Sequence, residues 1–203
     1  DGDRDACVLL QDDPLADERD AVAGPCGSRE RDRDCVHGDG PDDDRDPHIG
    51  RMRDGTLVCS FFPYRQASGA KPEYETAIVT SRDGGWTWDA SPRVLAPGWA
   101  VSAPVRELSD GTRLLGVYHE QGDTAFGGVL RSTDQGRTWS APIAIGQGSG
   151  VRLDAETDVI ELKDGRILAA LRGDKVPLHF ARSTDRGLTW STVVSSGFPG
   201  HSP

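Results

Sequence analysis

The chain has 203 residues, of which 33 are acidic and 23 basic, for a formal net charge of −10; 35% are hydrophobic and four are cysteine. That length allows one sizeable core, and the charge is unevenly placed: residues 1–46 hold 16 of the acidic and 6 of the basic residues, while the remaining 157 carry 17 of each sign. The part able to fold is therefore neutral and without a basic stripe, which excludes a nucleic-acid partner, and no apolar run is long enough for a membrane span.

Residues 1–42 are dense in Asp and Arg, as in Asp1-Gly2-Asp3-Arg4-Asp5 and Arg29-Glu30-Arg31-Asp32-Arg33-Asp34. They bury too little apolar surface to offset the entropy of ordering them, so this stretch is predicted to be disordered and residues 43–203 to form the domain. Clustered Asp also occurs in calcium loops, but the ligand positions and closing Glu of such a loop are missing. Cys7, Cys26, Cys35 and Cys59 show neither zinc-type pairing nor a disulfide framework, and His37, His48, His119, His179 and His201 have no ligand spacing. No metal site and no cofactor are expected, and Cys59 reads as a buried free thiol in a strand.

From Arg45 onward the pattern is regular. Leu57 to Phe62 follows the Asp54-Gly55 turn as a strand, and Thr76 to Thr80 is a second strand. The same order returns with Asp110-Gly111, Leu114 to Tyr118 and Gly127 to Arg131, and again with Asp164-Gly165, Ile167 to Leu171 and His179 to Arg182. Each second strand runs into one pattern, Ser-x-Asp-x-Gly-x-Thr-Trp, at Ser81 to Trp88, Ser132 to Trp139 and Ser183 to Trp190, 51 residues apart both times. A period near fifty suits a recurring four-stranded sheet, and no helical periodicity of useful length competes with it.

The motif has a physical reading as a tight hairpin. Asp83, Asp134 and Asp185 accept bonds from backbone N–H groups of their own turns, and Gly85, Gly136 and Gly187 supply positive φ. Thr87, Thr138 and Thr189 are expected to begin the returning strand, and Trp88, Trp139 and Trp190 to pack over the turn. These residues are structural.

The motif resembles the Asp-box, or BNR repeat, of the sialidase (neuraminidase) superfamily, and its three copies are similar to those of bacterial exo-sialidases. The resemblance implies an all-β fold, a partial six-bladed β-propeller with about three four-stranded blades present. The remaining blades are expected from polypeptide beyond this stretch, since three blades leave strand edges open. It also implies a glycoside hydrolase that releases terminal sialic acid from glycoconjugates with retention, through a Tyr nucleophile activated by Glu, three arginines that clamp the substrate carboxylate, and an Asp acid/base.

Within that resemblance the stretch Ala155 to Arg172 matches best, giving Glu156 the activating role and Arg172 an arginine role. Arg45, in Asp44-Arg45-Asp46-Pro47, stands for the first arginine, and Arg65, after Phe61-Phe62-Pro63-Tyr64, for an additional one beside the substrate. The acid/base departs from the pattern: Gln66 to Glu75 contains no Asp, Lys71 stands near its place, and Glu73 and Glu75 are the nearby carboxyls. In the second repeat Arg106, Tyr118, His119 and Glu120 end a strand, with His119 or Glu120 in reach of a substrate. The nucleophile and third triad arginine are expected from later blades, so this chain alone is expected to be inactive. The expected partner is a sialylated or other anionic glycan, in an extracellular or periplasmic setting. Two alternatives stand beside this: a non-catalytic glycan-binding propeller, and an interaction propeller that uses its boxes only as turns. Unneutralised arginines converging on one cavity speak against the last.

Overall fold

The computed structural model describes residues 42–65, 71–122 and 124–198. The segment expected to be disordered lies outside these residues up to position 41, as do Cys7, Cys26, Cys35, His37, His201 and the stretch 66–70 where the acid/base was sought.

All regular structure among the described residues is β. The first repeat is a four-stranded antiparallel meander in the order β1 (Asp42–Arg51), β2 (Leu57–Arg65), β3 (Glu73–Ser81) and β4 (Arg93–Pro97). The second comprises β5 (Ala100–Val101) and β6 (Arg106–Glu107), both on β7 (Arg113–Gln121), then β8 (Thr124–Ser132) and β9 (Ile143–Ile145). The third runs β10 (Leu153–Glu161), β11 (Ile167–Gly173), β12 (His179–Ser183) and β13 (Val194–Ser195), and the single pairing of Leu153 with Ala125 joins it to the second.

Burial follows the sequence pattern. In β11 the residues Ile167, Ala169 and Leu171 are buried in alternation with half-buried neighbours, the period of a strand covered on one face more than the other. The apolar run Leu114 to Tyr118 in β7 is buried throughout, as expected of a strand packed on both faces. Leu108, Leu114, Leu115, Leu130, Ile145, Leu153, Ile167 and Leu171 are the large side chains at the centre of one continuous core.

The three Asp-Gly turns form as expected, with Gly55, Gly111 and Gly165 at φ of 87°, 87° and 82°. The Asp-boxes are nearly superposable networks. Thr87, Thr138 and Thr189 each donate a backbone N–H at 2.9 Å to Oδ1 of Asp83, Asp134 and Asp185. The Ser hydroxyl at the head of each box donates to the same carboxylate at 2.8 Å and accepts the glycine N–H at 2.9 Å.

The threonines do not begin the returning strands, contrary to expectation. Those strands start at Arg93, Ile143 and Val194, because the Asp carboxylate takes the backbone N–H of each threonine, which a ladder would need, along with its hydroxyl. Trp139 and Trp190 pack against the core, whereas Trp88 donates its indole N–H to Gly85 O at 3.1 Å. Cys59 is a half-buried free thiol in β2, raised above its ordinary pKa by burial.

Candidate functional site

Counting eight residues back and eight forward from each Asp-Gly aspartate yields three pairs: Asp46 and Phe62, Ser102 and Tyr118, Glu156 and Arg172. Because each turn joins two antiparallel strands, equal steps along both bring the members of a pair to the same end of their repeat. At that end the first strand departs from regular pairing in every repeat. β1 slips register between Arg45 and His48, β10 slips between Leu153 and Thr157, and the second repeat is interrupted between Val101 and Arg106. Asp46 and Ala155 lie at positive φ there, 50° and 62°. Such bulges re-aim side chains, and non-glycine residues held in this region mark places where the surroundings over-determine the backbone.

The pairs touch one another. Arg172 Nη1 donates to Glu156 Oε1 at 2.5 Å, and Nη2 lies 2.9 Å from Asp154 Oδ2. Ser102 Oγ donates to Asp46 Oδ2 at 2.9 Å and lies near the Tyr118 hydroxyl. Tyr118 is 8% exposed. Burial, then the charges of Glu120, Glu156 and Asp46, push its phenol far above the ordinary tyrosine value, so it is a neutral hydrogen-bonding group. Its ring meets Phe62 edge-on at 6.4 Å, and Phe62 meets Tyr74 edge-on at 6.3 Å.

That aromatic line leads to a second feature, a cleft of about 540 Å³ lined by Arg65, Lys71, Glu73, Glu75, His119 and Glu120 among others, within the size range of small-ligand sites. Arg65 and Glu73 are cross-strand neighbours, and Glu75, two residues on, lies 3.7 Å from Arg65. His119 is held between Trp99 and Phe126, each 5.3 Å away, and its Nδ1 lies 2.6 Å from Gly98 O. That nitrogen must carry the proton, so Nε2 of the neutral ring is the accepting one.

The residues singled out in the sequence thus fall into two groups. Glu156 and Arg172 meet on adjacent strands, and Arg65, Glu73 and Glu75 share the cleft. Arg45 stacks over the Tyr64 ring at 3.8 Å and bonds Asp43 at 2.6 Å. Each chosen arginine has a carboxylate partner, so the unneutralised cluster that would by itself demand an anion is not present among the described residues. Sequence reasoning missed the placement of Tyr118 with Ser102 and Asp46; counting from the Asp-Gly turns would have found it, since Tyr118 stands where the third repeat has Arg172. Arg106 pairs with Asp158 at 2.5 Å across to the third repeat, a structural role. Among the described residues no group of three or more His, Cys, Asp or Glu is placed to hold a metal ion, and no helix is long and apolar enough to cross a membrane.

The comparisons agree with this architecture. A xyloglucanase of a Paenibacillus species is 37% identical over 89 residues, covering 42% of this chain and 8% of that protein. The sialidase of Micromonospora viridifaciens is 32% identical over 178 residues, covering 73% of this chain and 26% of that protein. The chain thus spans only a small part of the length of both. Among solved structures, a protein of unknown function from Dyadobacter fermentans superposes with a TM-score of 0.66 at 25% identity, over 78% of this chain and 52% of that one. The antiparallel meanders form a propeller-like arrangement of the kind shared by sialidases and xyloglucanases. A family model described as a BNR repeat-like domain matches residues 41–200, and the chain belongs to that family.

Proposed function

We propose that the three repeats are blades of a six-bladed sialidase-type propeller, and that the ring of residues at ±8 from the Asp-Gly turns is this chain's share of a site that releases terminal sialic acid from glycoconjugates. The observation that carries the reading is the Glu156–Arg172 pair, set beside a strained bulge and next to buried Tyr118. A guanidinium suits a sugar carboxylate because it offers paired donors in one plane. Glu156 would activate a nucleophile supplied by another blade, Arg65 and His119 would hold the glycan in the cleft, and Glu73 or Glu75 would move the proton. The Micromonospora sialidase, similar over 73% of this chain, supports the substrate class. An extracellular or periplasmic setting follows from the same resemblance.

Recognition without hydrolysis is the second reading. It is favoured by the carboxylates on Arg45, Arg65 and Arg172 and by the absence of Asp from Gln66 to Glu75. Titrating the chain with N-acetylneuraminic acid and, as a neutral control, galactose tests the shared part: selective binding of the acid that is lost in Arg172→Ala is expected. Equal response to both sugars would refute the site. Release of fluorophore from a sialoside by the complete propeller then separates hydrolysis from recognition.

A further inference from the structure

The Asp-Gly turns and the Asp-boxes share the end of the repeats opposite the ring at ±8. Leu57, Arg113 and Ile167, each three residues after a turn aspartate, pair with the box serines Ser81, Ser132 and Ser183. Eight strand residues, about 26 Å, separate this end from the ring. Between the first and second repeats it holds a groove of about 310 Å³, lined by Arg82, Arg93, Arg113 and Arg137 against two carboxylates, Asp54 and Asp89.

The repeat itself calls for none of these arginines. Arg113 answers to Leu57 and Ile167 in the other repeats; Arg82, second in its box, answers to Thr133 and Thr184; Arg137, sixth in its box, answers to Trp86 and Leu188. Arg93 pairs with Ile78 as Ile143 pairs with Val129 and Val194 with Phe180, so its equivalents are Ile143 and Val194. No equivalent is basic, yet the four arginines meet in one place.

Their donors go largely to carbonyls, which orient a guanidinium without neutralising it. Arg93 donates to Gly136 O at 2.5 Å and to Arg137 O at 3.1 Å, Arg113 Nη1 to Gln135 O at 2.5 Å, and Arg137 Nε to Asp134 O at 3.0 Å. The Asp89 carboxylate already accepts the Thr80 N–H and hydroxyl. Asp54 accepts the Thr56 N–H and stands 3.5 Å from Arg113. Arg113 is 4% exposed, and its Nε has no acceptor among the described residues. Neither has the buried Nε1 of Trp139, which lines the same groove. Buried charge and unpaired donors destabilise a fold unless something answers them.

We propose that this groove is a second glycan site, taking an acidic sugar unit whose sulfate or carboxylate lies among Arg93, Arg113 and Arg137 and whose ring packs on Trp139. Forked guanidinium donors match the oxygens of either anion, and the indole supplies an apolar wall for the C–H side of a sugar. A bare inorganic anion would leave that wall unused. A bilayer surface is too broad to reach Arg113 inside the groove. The site is independent of the ring, which lies at the other end of the strands.

The test is calorimetric titration of the full chain with galactose 6-sulfate, glucuronic acid, galactose and sodium sulfate. At least one of the two acidic sugars is expected to bind tenfold or more tightly than galactose or sodium sulfate, and to weaken as salt is added. The acid that binds more tightly identifies the anionic group. Arg137 is exposed, so Arg137→Leu keeps the fold and should weaken that binding about tenfold, the contribution of a charge-assisted bond. Arg113→Leu installs the residue of the first repeat; it should weaken binding as much, with a urea midpoint unchanged or raised. Arg172→Ala, at the ring, should leave this binding as it is. Equal binding of galactose, sodium sulfate binding as tightly as both acids, or undiminished binding in Arg137→Leu would each overturn the groove as a glycan site. Loss of the acid in Arg172→Ala would move it to the ring and overturn the groove alone. Binding to phosphatidylserine vesicles with neither acidic sugar bound would assign the arginines to a lipid surface and overturn the proposal.

Discussion

Gly116 lies six residues beyond the second Asp-Gly aspartate, on β7, and a Cβ built there falls 2.1 Å from Thr157 O and 2.8 Å from its carbonyl carbon. Both obstacles are backbone of the third repeat, so no side-chain rotation relieves them. Ordinary contact begins near 3.4 Å, so Gly116→Ala must part the two repeats by roughly 1 Å, a gap that forfeits a quarter to half of each dispersion contact along the junction. The cost is about 3 kcal/mol, at the upper end for overpacking. For a chain of this size that lowers the melting temperature by about 6–12 °C, measured by circular dichroism with a urea series as a check. Ser60 occupies the same offset in the first repeat and donates to Ala103 O at 2.7 Å, which would suggest that Ser is tolerated at 116. The closer approach in the second repeat forbids it, so Gly116→Ser is expected to be at least as damaging. A melting temperature within about 2 °C of wild type for either variant would refute this account of the junction.

Three further outcomes are expected. Asp185 is held at about 2 by the Thr189 hydroxyl first and the Thr189 N–H second; a depressed carboxylate stabilises the fold fully above its unfolded value of about 4 and loses that contribution as pH falls. Asp185→Asn should therefore be less stable than wild type at neutral pH, with the urea midpoints converging between about pH 4 and pH 2; a gap independent of pH would contradict the assignment. Tyr118→Phe removes a nearly buried hydroxyl beside Ser102 and should change stability by no more than about 1 kcal/mol while weakening acidic-sugar binding, so a variant that titrates like wild type removes Tyr118 from the site. Glu75→Gln withdraws a carboxylate from Arg65 in a pair that is partly exposed; stability should change by less than about 0.5 kcal/mol while affinity for an anionic glycan rises, and reduced affinity would place Glu75 on the ligand instead.

What the sequence disclosed was set by range. The Asp-boxes and Asp-Gly turns were legible because their bonds close within four residues: the Asp83 carboxylate needs only Ser81 and Thr87. Strands were legible through alternation in β11 and through the apolar run in β7. The threonines were misassigned because β propensity at Thr138 yields to a carboxylate that takes both of its polar groups. Contacts between repeats were not legible. Nothing local says that Ser102 will bond Asp46, 56 residues away, or that Asp43 and Tyr64 will occupy Arg45. The pairing of Glu156 with Arg172 was reachable because both belong to one hairpin.

Charge at the ring sets the sign of one more expectation. Asp154 and Glu156 gather on Arg172, and Asp46 lies by Tyr118, so an acidic sugar approaching this chain meets more negative than positive charge. Glu156→Gln removes one of those charges and leaves Arg172 with Asp154. At a separation of about 6 Å and an effective dielectric of about 60, the repulsion removed is about 1 kcal/mol, or about fivefold in affinity. The variant of this chain should therefore bind N-acetylneuraminic acid more tightly than wild type by calorimetry, with the gain shrinking at high salt. In the complete propeller the same substitution should abolish hydrolysis if Glu156 activates a nucleophile, and a recognition propeller would show the tighter binding alone. Weaker binding by the variant would mean that Glu156 contacts the sugar directly, and the division of roles between Glu156 and Arg172 would have to be redrawn.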